Sequence, residues 1–172
     1  MADGALPDGF TFIPDAANAR AFRDALGSFA TGVTLVTIAG PEGPMGFVAN
    51  SFSSLSMDPP LVIWSPSKSA SRYPHFAVAQ HYTIHILAED QHDIIARFMR
   101  GGAGFDGLDH EINAEGVPVL TTAAARFDCV QHATHEGGDH LIVVGRVVRV
   151  VCQDGAPLVF SKGQFGRFSA TS

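Results

Sequence analysis

Val33-Thr34-Leu35-Val36-Thr37-Ile38, then Gly40-Pro41-Glu42-Gly43-Pro44, then Phe47-Val48-Ala49-Asn50-Ser51-Phe52 run in succession near the start of the chain. The first run is rich in β-branched residues, which suit the pleated surface of a strand. The second concentrates Gly and Pro, whose backbone angles are those of turns. The third returns as a strand. Together they predict a β-hairpin.

Before this hairpin, residues 1–17 are rich in Gly, Pro and Asp and read as an N-terminal arm, with Phe10 and Phe12 placed to tack it down. Residues 18–172 read as one domain. Asn18 is a candidate cap for a short helix to about Ala30, with Phe22, Ala25, Leu26 and Phe29 on one face. Beyond the hairpin, Asp58-Pro59-Pro60 punctuates the chain and Leu61 to Trp64 reads as a short buried strand. Arg72 to Ala79 reads as a helical turn. His81 to Leu87 alternates in the strand period, and Gln91 to Arg100 carries Ile94, Ile95, Phe98 and Met99 in the helical one. A Gly-rich loop from Gly101 to Gly107 follows, then strands over Ala123 to Val130, His140 to Val151 and Leu158 to Ser161. Helix and strand do not alternate as a parallel sheet would require. The expectation is a mainly β fold, an antiparallel barrel with peripheral helices.

Composition bounds what such a barrel does. The chain has 172 residues, 11 Lys+Arg and 17 Asp+Glu, for a net charge of −6. Charged residues make up 16%, against roughly 25% in ordinary soluble domains. A coat this thin suggests that a subunit partner or a ligand covers part of the surface. No run of Lys or Arg offers an electrostatic footprint for nucleic acid, and no apolar run approaches membrane-spanning length. The first residues lack the basic and apolar regions of a signal peptide, so the expected location is the cytoplasm. Cys129 and Cys152, 23 residues apart, are expected to be small core hydrophobes rather than a disulfide.

Three segments could carry chemistry. Ala49-Asn50-Ser51-Phe52-Ser53-Ser54-Leu55-Ser56 can bond the edge of a polar heterocycle through its backbone and a phosphate through its hydroxyls; it also reads as serines bonding their local backbone. Ser65-Pro66-Ser67-Lys68-Ser69-Ala70-Ser71-Arg72 holds four serines and two cations, which suit a phosphate or simply a solvated loop. Neither a P-loop nor a dinucleotide-binding glycine pattern is present. His132, His135, Asp139 and His140 lie within nine residues, but their spacing is too loose to assign a metal. Asp139 can orient His140, which otherwise reads as a strand-end histidine. No nucleophile elbow or paired carboxylates support hydrolysis.

Taken in order, Phe22-Arg23-x-Ala25-Leu26-Gly27-x-Phe29-Ala30-Thr31-Gly32-Val33-Thr34, Ala49 to Ser56 running into Asp58-Pro59-Pro60, and Gly138-Asp139-His140 before a Val-rich strand resemble one family. It is the short-chain NAD(P)H:flavin reductases, the reductase components of two-component flavin monooxygenases. The resemblance covers roughly residues 20–168. It implies a homodimeric, FMN-binding split β-barrel that uses NADH or NADPH to reduce FMN or FAD, and a transient monooxygenase partner. By position it implies Asn50, Ser51, Phe52, Ser53 and Ser54 along the isoalloxazine edge after Ala49, with Ser56 on the ribityl-phosphate side. Ser67, Lys68, Ser69 and Ser71 would hold the phosphate. Thr31 and Gly32 would line the ring pocket, Phe98 would lie near flavin or nicotinamide, and His140 would face the nicotinamide as the catalytic residue. The implied chemistry is hydride transfer from nicotinamide C4 to flavin N5, which needs no protein nucleophile. Two alternatives stay open: an FMN-containing reductase of a corrinoid or metal chelate, and a non-catalytic flavin- or haem-binding split-barrel module.

Overall fold

A computed structural model of the chain describes residues 9–99 and 104–170. The first eight residues of the arm, Arg100 and the start of the Gly-rich loop lie outside them. The predicted hairpin is present as β2 (Thr34–Gly40) and β3 (Gly43–Ala49), in unbroken antiparallel register from Thr34↔Ala49 to Gly40↔Gly43. With β4 (Ser53–Met57), β5 (Pro60–Trp64), β6 (His81–Ile86), β9 (Ala125–Gly137) and β10 (His140–Cys152), it forms a seven-stranded sheet ordered β3-β2-β6-β9-β10-β5-β4.

That order forces the sheet to roll. β3 and β4 are its two edges, about 29 Å apart if the sheet were flat. Yet they are joined by residues 50–52 alone, a link that spans at most about 14 Å. The edges converge at that end without pairing, so the fold is an antiparallel split β-barrel. A second sheet, β1-β11-β12 (Thr31–Gly32, Leu158–Ser161, Gln164–Arg167), is stitched to the first where Val33 N–H donates to Leu158 O (3.1 Å) and Leu158 N–H to Leu87 O (2.8 Å). Two short strands, β7 (Glu111–Ile112) and β8 (Pro118–Val119), pair with each other.

One core fills the barrel. Phe47, Trp64 and Phe76 meet edge-to-face with centroids 5.4–5.9 Å apart, the arrangement that ring quadrupoles favour. Phe76 comes from α2 (Tyr73–Ala77). The other core lies under α3 (His92–Met99), which buries Ile94, Ile95 and Phe98 against Leu35, Leu87 and Leu158. A Cβ on Gly46 would sit 2.3 Å from the Phe98 ring, so only glycine lets α3 approach this closely.

Several expectations need correcting. The first helix is a 3₁₀ turn, Ala16–Asn18, followed by α1 (Ala19–Leu26), and Asp15 rather than Asn18 supplies the cap. The apolar face of α1 buries no residue, and Phe29 is 78% exposed. Phe10 rests on Phe12 (5.4 Å) and stays half exposed. Ser53–Met57 is a strand, although its serines favour loops; pairing with β5 overrides that preference. Cys129 is buried and its thiol pushed up to about 12, chiefly by burial, whereas Cys152 is exposed; both are free.

Candidate functional site at the open rim of the barrel

The residues named from sequence gather largely at one rim. Where β2 begins and β3 ends, Thr34 Oγ1 donates to Ala49 O (2.7 Å), so Thr31 and Gly32 enter beside the point where Asn50 leaves. Ser51 crosses to the end of β5: its hydroxyl donates to Ser65 O (3.2 Å) and accepts from Ser65 N–H (2.9 Å). The serine-rich loop continues from Ser65 directly onto the start of β10. Leu141 N–H donates to Pro66 O (3.1 Å), Ser67 bridges His140, and Lys68 N–H donates to Asp139 O (2.9 Å). Two segments that sequence could only list separately, 49–54 and 65–71, therefore share one rim with His140.

Individual side chains sort themselves by partner. Ser67 and Ser69 hydroxyls lie 2.9 Å apart, and Ser69 and Ser71 are exposed. Asn50 and Ser54 are also exposed. Ser56 lies past a bulge between Ser54 and Ser56, at the β4–β5 turn and away from the rim. Phe52 stacks on Phe127 (5.6 Å), so its ring belongs to the barrel core and only its backbone can meet a ligand. Phe98 needs a correction: it is 0% exposed, closed in by Gly46 and Phe105, and offers no ring face to a cofactor. Lys68 Nζ is already engaged by the Glu136 carboxylate and by Gly138 O (2.7 Å). Arg72 turns inward, donating to Phe98 O at 2.6 Å with its guanidinium 4.9 Å from the Phe47 ring centroid.

His140 is the half-open group of the rim, its side chain 43% exposed. Its Nδ1 lies 2.8 Å from Asp139 Oδ1. A carboxylate only accepts, so Nδ1 carries the proton and Nε2 is left without a protein partner among the described residues. The hydrogen bond to His140 holds the Asp139 carboxyl below its ordinary range. Among the described residues no three His, Cys, Asp or Glu side chains converge as a metal site. No helix of the described residues is long and apolar enough to cross a membrane. Glu136 joins the site unannounced by the sequence, because its partner Lys68 is 68 residues away and spacing carries no signal of such a pair.

A split barrel whose rim combines an exposed serine-rich edge strand with a carboxylate-oriented histidine has the architecture of a flavin-using oxidoreductase. Residues 26–169 match the flavin reductase-like domain, and the chain belongs to that family. It is 56% identical over 164 residues to "FMN reductase (NADH) SmoA" of Agrobacterium fabrum, covering 95% of this chain and 94% of that protein. It is 37% identical to the reductase subunit HsaB of a flavin-dependent monooxygenase from Rhodococcus jostii, over 88% of this chain and 78% of that one. The solved structure of the NADH:FAD oxidoreductase SgcE6 of Streptomyces globisporus, in complex with NAD and FAD fragments, superposes with a TM-score of 0.85 at 32% identity. It covers 92% of this chain and 98% of that one.

The rim fits a flavin on its own features. β4 is a sheet edge, so among the described residues its outward backbone donors and acceptors have no neighbouring strand to bond. Thr31 Oγ1 is buried with no partner among the described residues, and a Cβ on Gly32 would meet nothing within 4 Å. The open space at Gly32 lets a flat ligand lie close against the backbone there.

Proposed function

We propose that this protein uses NADH to reduce FMN or FAD and hands the reduced flavin to a partner monooxygenase. The observation that carries this reading is the joining of segments 49–54, 65–71 and His140 at one rim, in a chain 56% identical to an NADH-dependent FMN reductase. When bound, flavin supplies the hydride acceptor, its N5, for C4 of the nicotinamide. The chain's own part is binding and orientation. Backbone groups of Asn50, Ser51, Phe52, Ser53 and Ser54 bond the ring edge, with Ala49 and Gly32 as close backbone walls. Ser67, Ser69 and Ser71 hydroxyls hold the phosphate. His140, its Nδ1 proton held by Asp139, presents Nε2 to the nicotinamide amide or to a proton in transit.

The protein acts as a homodimer in the cytoplasm. Support for a second copy comes from α1, which buries none of its residues, and from Met57 on the edge strand, 91% exposed. Those apolar surfaces match the thin charged coat, 16% of residues. The domain proper is the unit from residue 18 onward, with 1–17 as an appended arm. Anaerobic titration of the flavin-loaded protein tests the reductase reading: addition of NADH bleaches the flavin absorbance, and free FMN, FAD and riboflavin are compared as acceptors. A flavin that binds and never bleaches with either NADH or NADPH refutes it.

A further inference from the structure

β9 and β10 meet in a two-residue turn, Gly138-Asp139, with Gly137 paired to His140. Gly138 has φ +71°, the conformation that favours glycine at the first position of such a turn. Every residue from Thr134 to Asp139 is exposed, and Asp139 is 92% exposed. A hairpin tip with so little buried surface opens easily. Yet the residue assigned to the nicotinamide sits at its base, and hydride transfer tolerates little misplacement.

One residue ties this tip down three times. The Lys68 N–H donates to Asp139 O (2.9 Å), its Nζ donates to Gly138 O (2.7 Å), and the same ammonium pairs with the Glu136 carboxylate. The hydrogen bond to Glu136 also holds the ammonium above its ordinary range, so it stays charged. The cation that sequence offered to a phosphate is engaged on the turn.

We propose that Lys68 is a positioning residue: with Glu136 it clamps the Gly138-Asp139 turn, so that Asp139 keeps hold of His140 Nδ1 and Nε2 stays in place for the nicotinamide. This deepens the reductase reading and rests on it. Phosphate binding is left to the Ser67, Ser69 and Ser71 hydroxyls. The two roles for Lys68 make opposite predictions at Glu136. If the ammonium held phosphate, Glu136 would compete for it, and Glu136→Gln would tighten FMN binding. If Lys68 is a clamp, Glu136→Gln loosens the tip and harms the NADH step as Lys68→Met does.

The test uses the full chain with Lys68→Met, Glu136→Gln and Lys68→Arg. Riboflavin, which lacks a phosphate, serves as acceptor, so a lost phosphate contact cannot register in the kinetics. The clamp predicts that kcat/KM for NADH falls about fivefold in Lys68→Met and in Glu136→Gln, and that Lys68→Arg restores most of it. The ratio of FMN to riboflavin dissociation constants stays as in the wild type. In flavin-free protein, amide exchange of residues 134–141 speeds up in both damaging variants. A collapse of the FMN preference in Lys68→Met, with tighter FMN in Glu136→Gln, overturns the clamp in favour of a phosphate ligand. Unchanged exchange together with unchanged NADH kinetics overturns it as well. Wild-type protein that never oxidises NADH with any flavin refutes the reductase reading itself, while the exchange measurement still decides whether Lys68 holds the turn.

Discussion

Two histidines of this barrel, His85 and His140, show how one side chain serves opposite ends. His85 on β6 is fully buried with both ring nitrogens engaged: Nδ1–H donates to Leu35 O (3.0 Å), and Nε2 accepts from Leu120 N–H (3.0 Å). Burial, the dominant cause, brings its pKa down to about 4 and keeps the ring neutral. His140 at the rim has one nitrogen bonded and the other without a protein partner among the described residues. A saturated, dry imidazole can only hold structure; a half-satisfied, wet one can meet a ligand. The difference lies in unspoken-for hydrogen-bonding capacity, not in residue type.

The contrast breaks most directly at His85. His85→Ala strands a buried carbonyl and a buried amide and opens a cavity, a combined cost of about 3–5 kcal/mol. For a chain of this size that lowers Tm by about 10 °C. Thermal unfolding checks it, and a Tm within about 2 °C of the wild type would make His85 as dispensable to the fold as a rim residue.

Acid sharpens the same contrast. In the unfolded chain His85 titrates near the ordinary histidine value of about 6.5, whereas in the fold it titrates near 4. Between those values the unfolded state binds the extra proton, so stability falls as pH drops. The contribution is complete above about pH 6.5 and is lost on the way to pH 4, on the order of 3 kcal/mol for this fully buried ring. Carboxylates add slopes of their own, so the informative quantity is the difference from His85→Gln. Urea unfolding at pH 7 and pH 4.5 gives it. Parallel losses in the two proteins would mean that His85 does not sense the acid.

How much of this was legible beforehand depended on the physics each element uses. β2, β3, β6 and β10 announced themselves because side-chain alternation and β-branching are local properties of the chain. β4 did not: Ser53, Ser54 and Ser56 are poor strand formers, and only pairing with β5 makes them one. The Asp139–His140 pair was readable because its partners are adjacent. The link between Ser51 and Ser65, the engagement of Lys68 by Glu136, and the burial of Phe98 under Gly46 were not. Each joins residues far apart in sequence, and periodicity says which face a residue lies on, never what waits opposite. Phe98 illustrates the limit. Its place on the apolar face of α3 with Ile94 and Ile95 was visible, and that same packing withholds its ring from any ligand.

At the rim the expected effects move from stability to turnover. His140→Ala leaves Tm within about 2 °C, as befits a half-exposed side chain at a strand end. It lowers kcat/KM for NADH about tenfold through lost positioning of the nicotinamide. Steady-state assays with FMN, alongside thermal unfolding, check both halves. Wild-type kinetics would return His140 to the status of an ordinary strand-end histidine.

The smallest effect tests whether Asp139 matters as a charge or only as a hydrogen-bond acceptor. Asp139→Asn keeps an oxygen within reach of His140 Nδ1 and removes the carboxylate. A neutral acceptor holds the imidazole less firmly than a charged one, so kcat/KM for NADH falls about threefold, between wild type and His140→Ala. Tm stays put, because the side chain is almost wholly in solvent. The double variant decides the point. If Asp139 acts only through His140, then Asp139→Asn added to His140→Ala costs nothing further. An additive loss would mean that Asp139 meets the nicotinamide directly, and the rim would then owe its chemistry to two side chains.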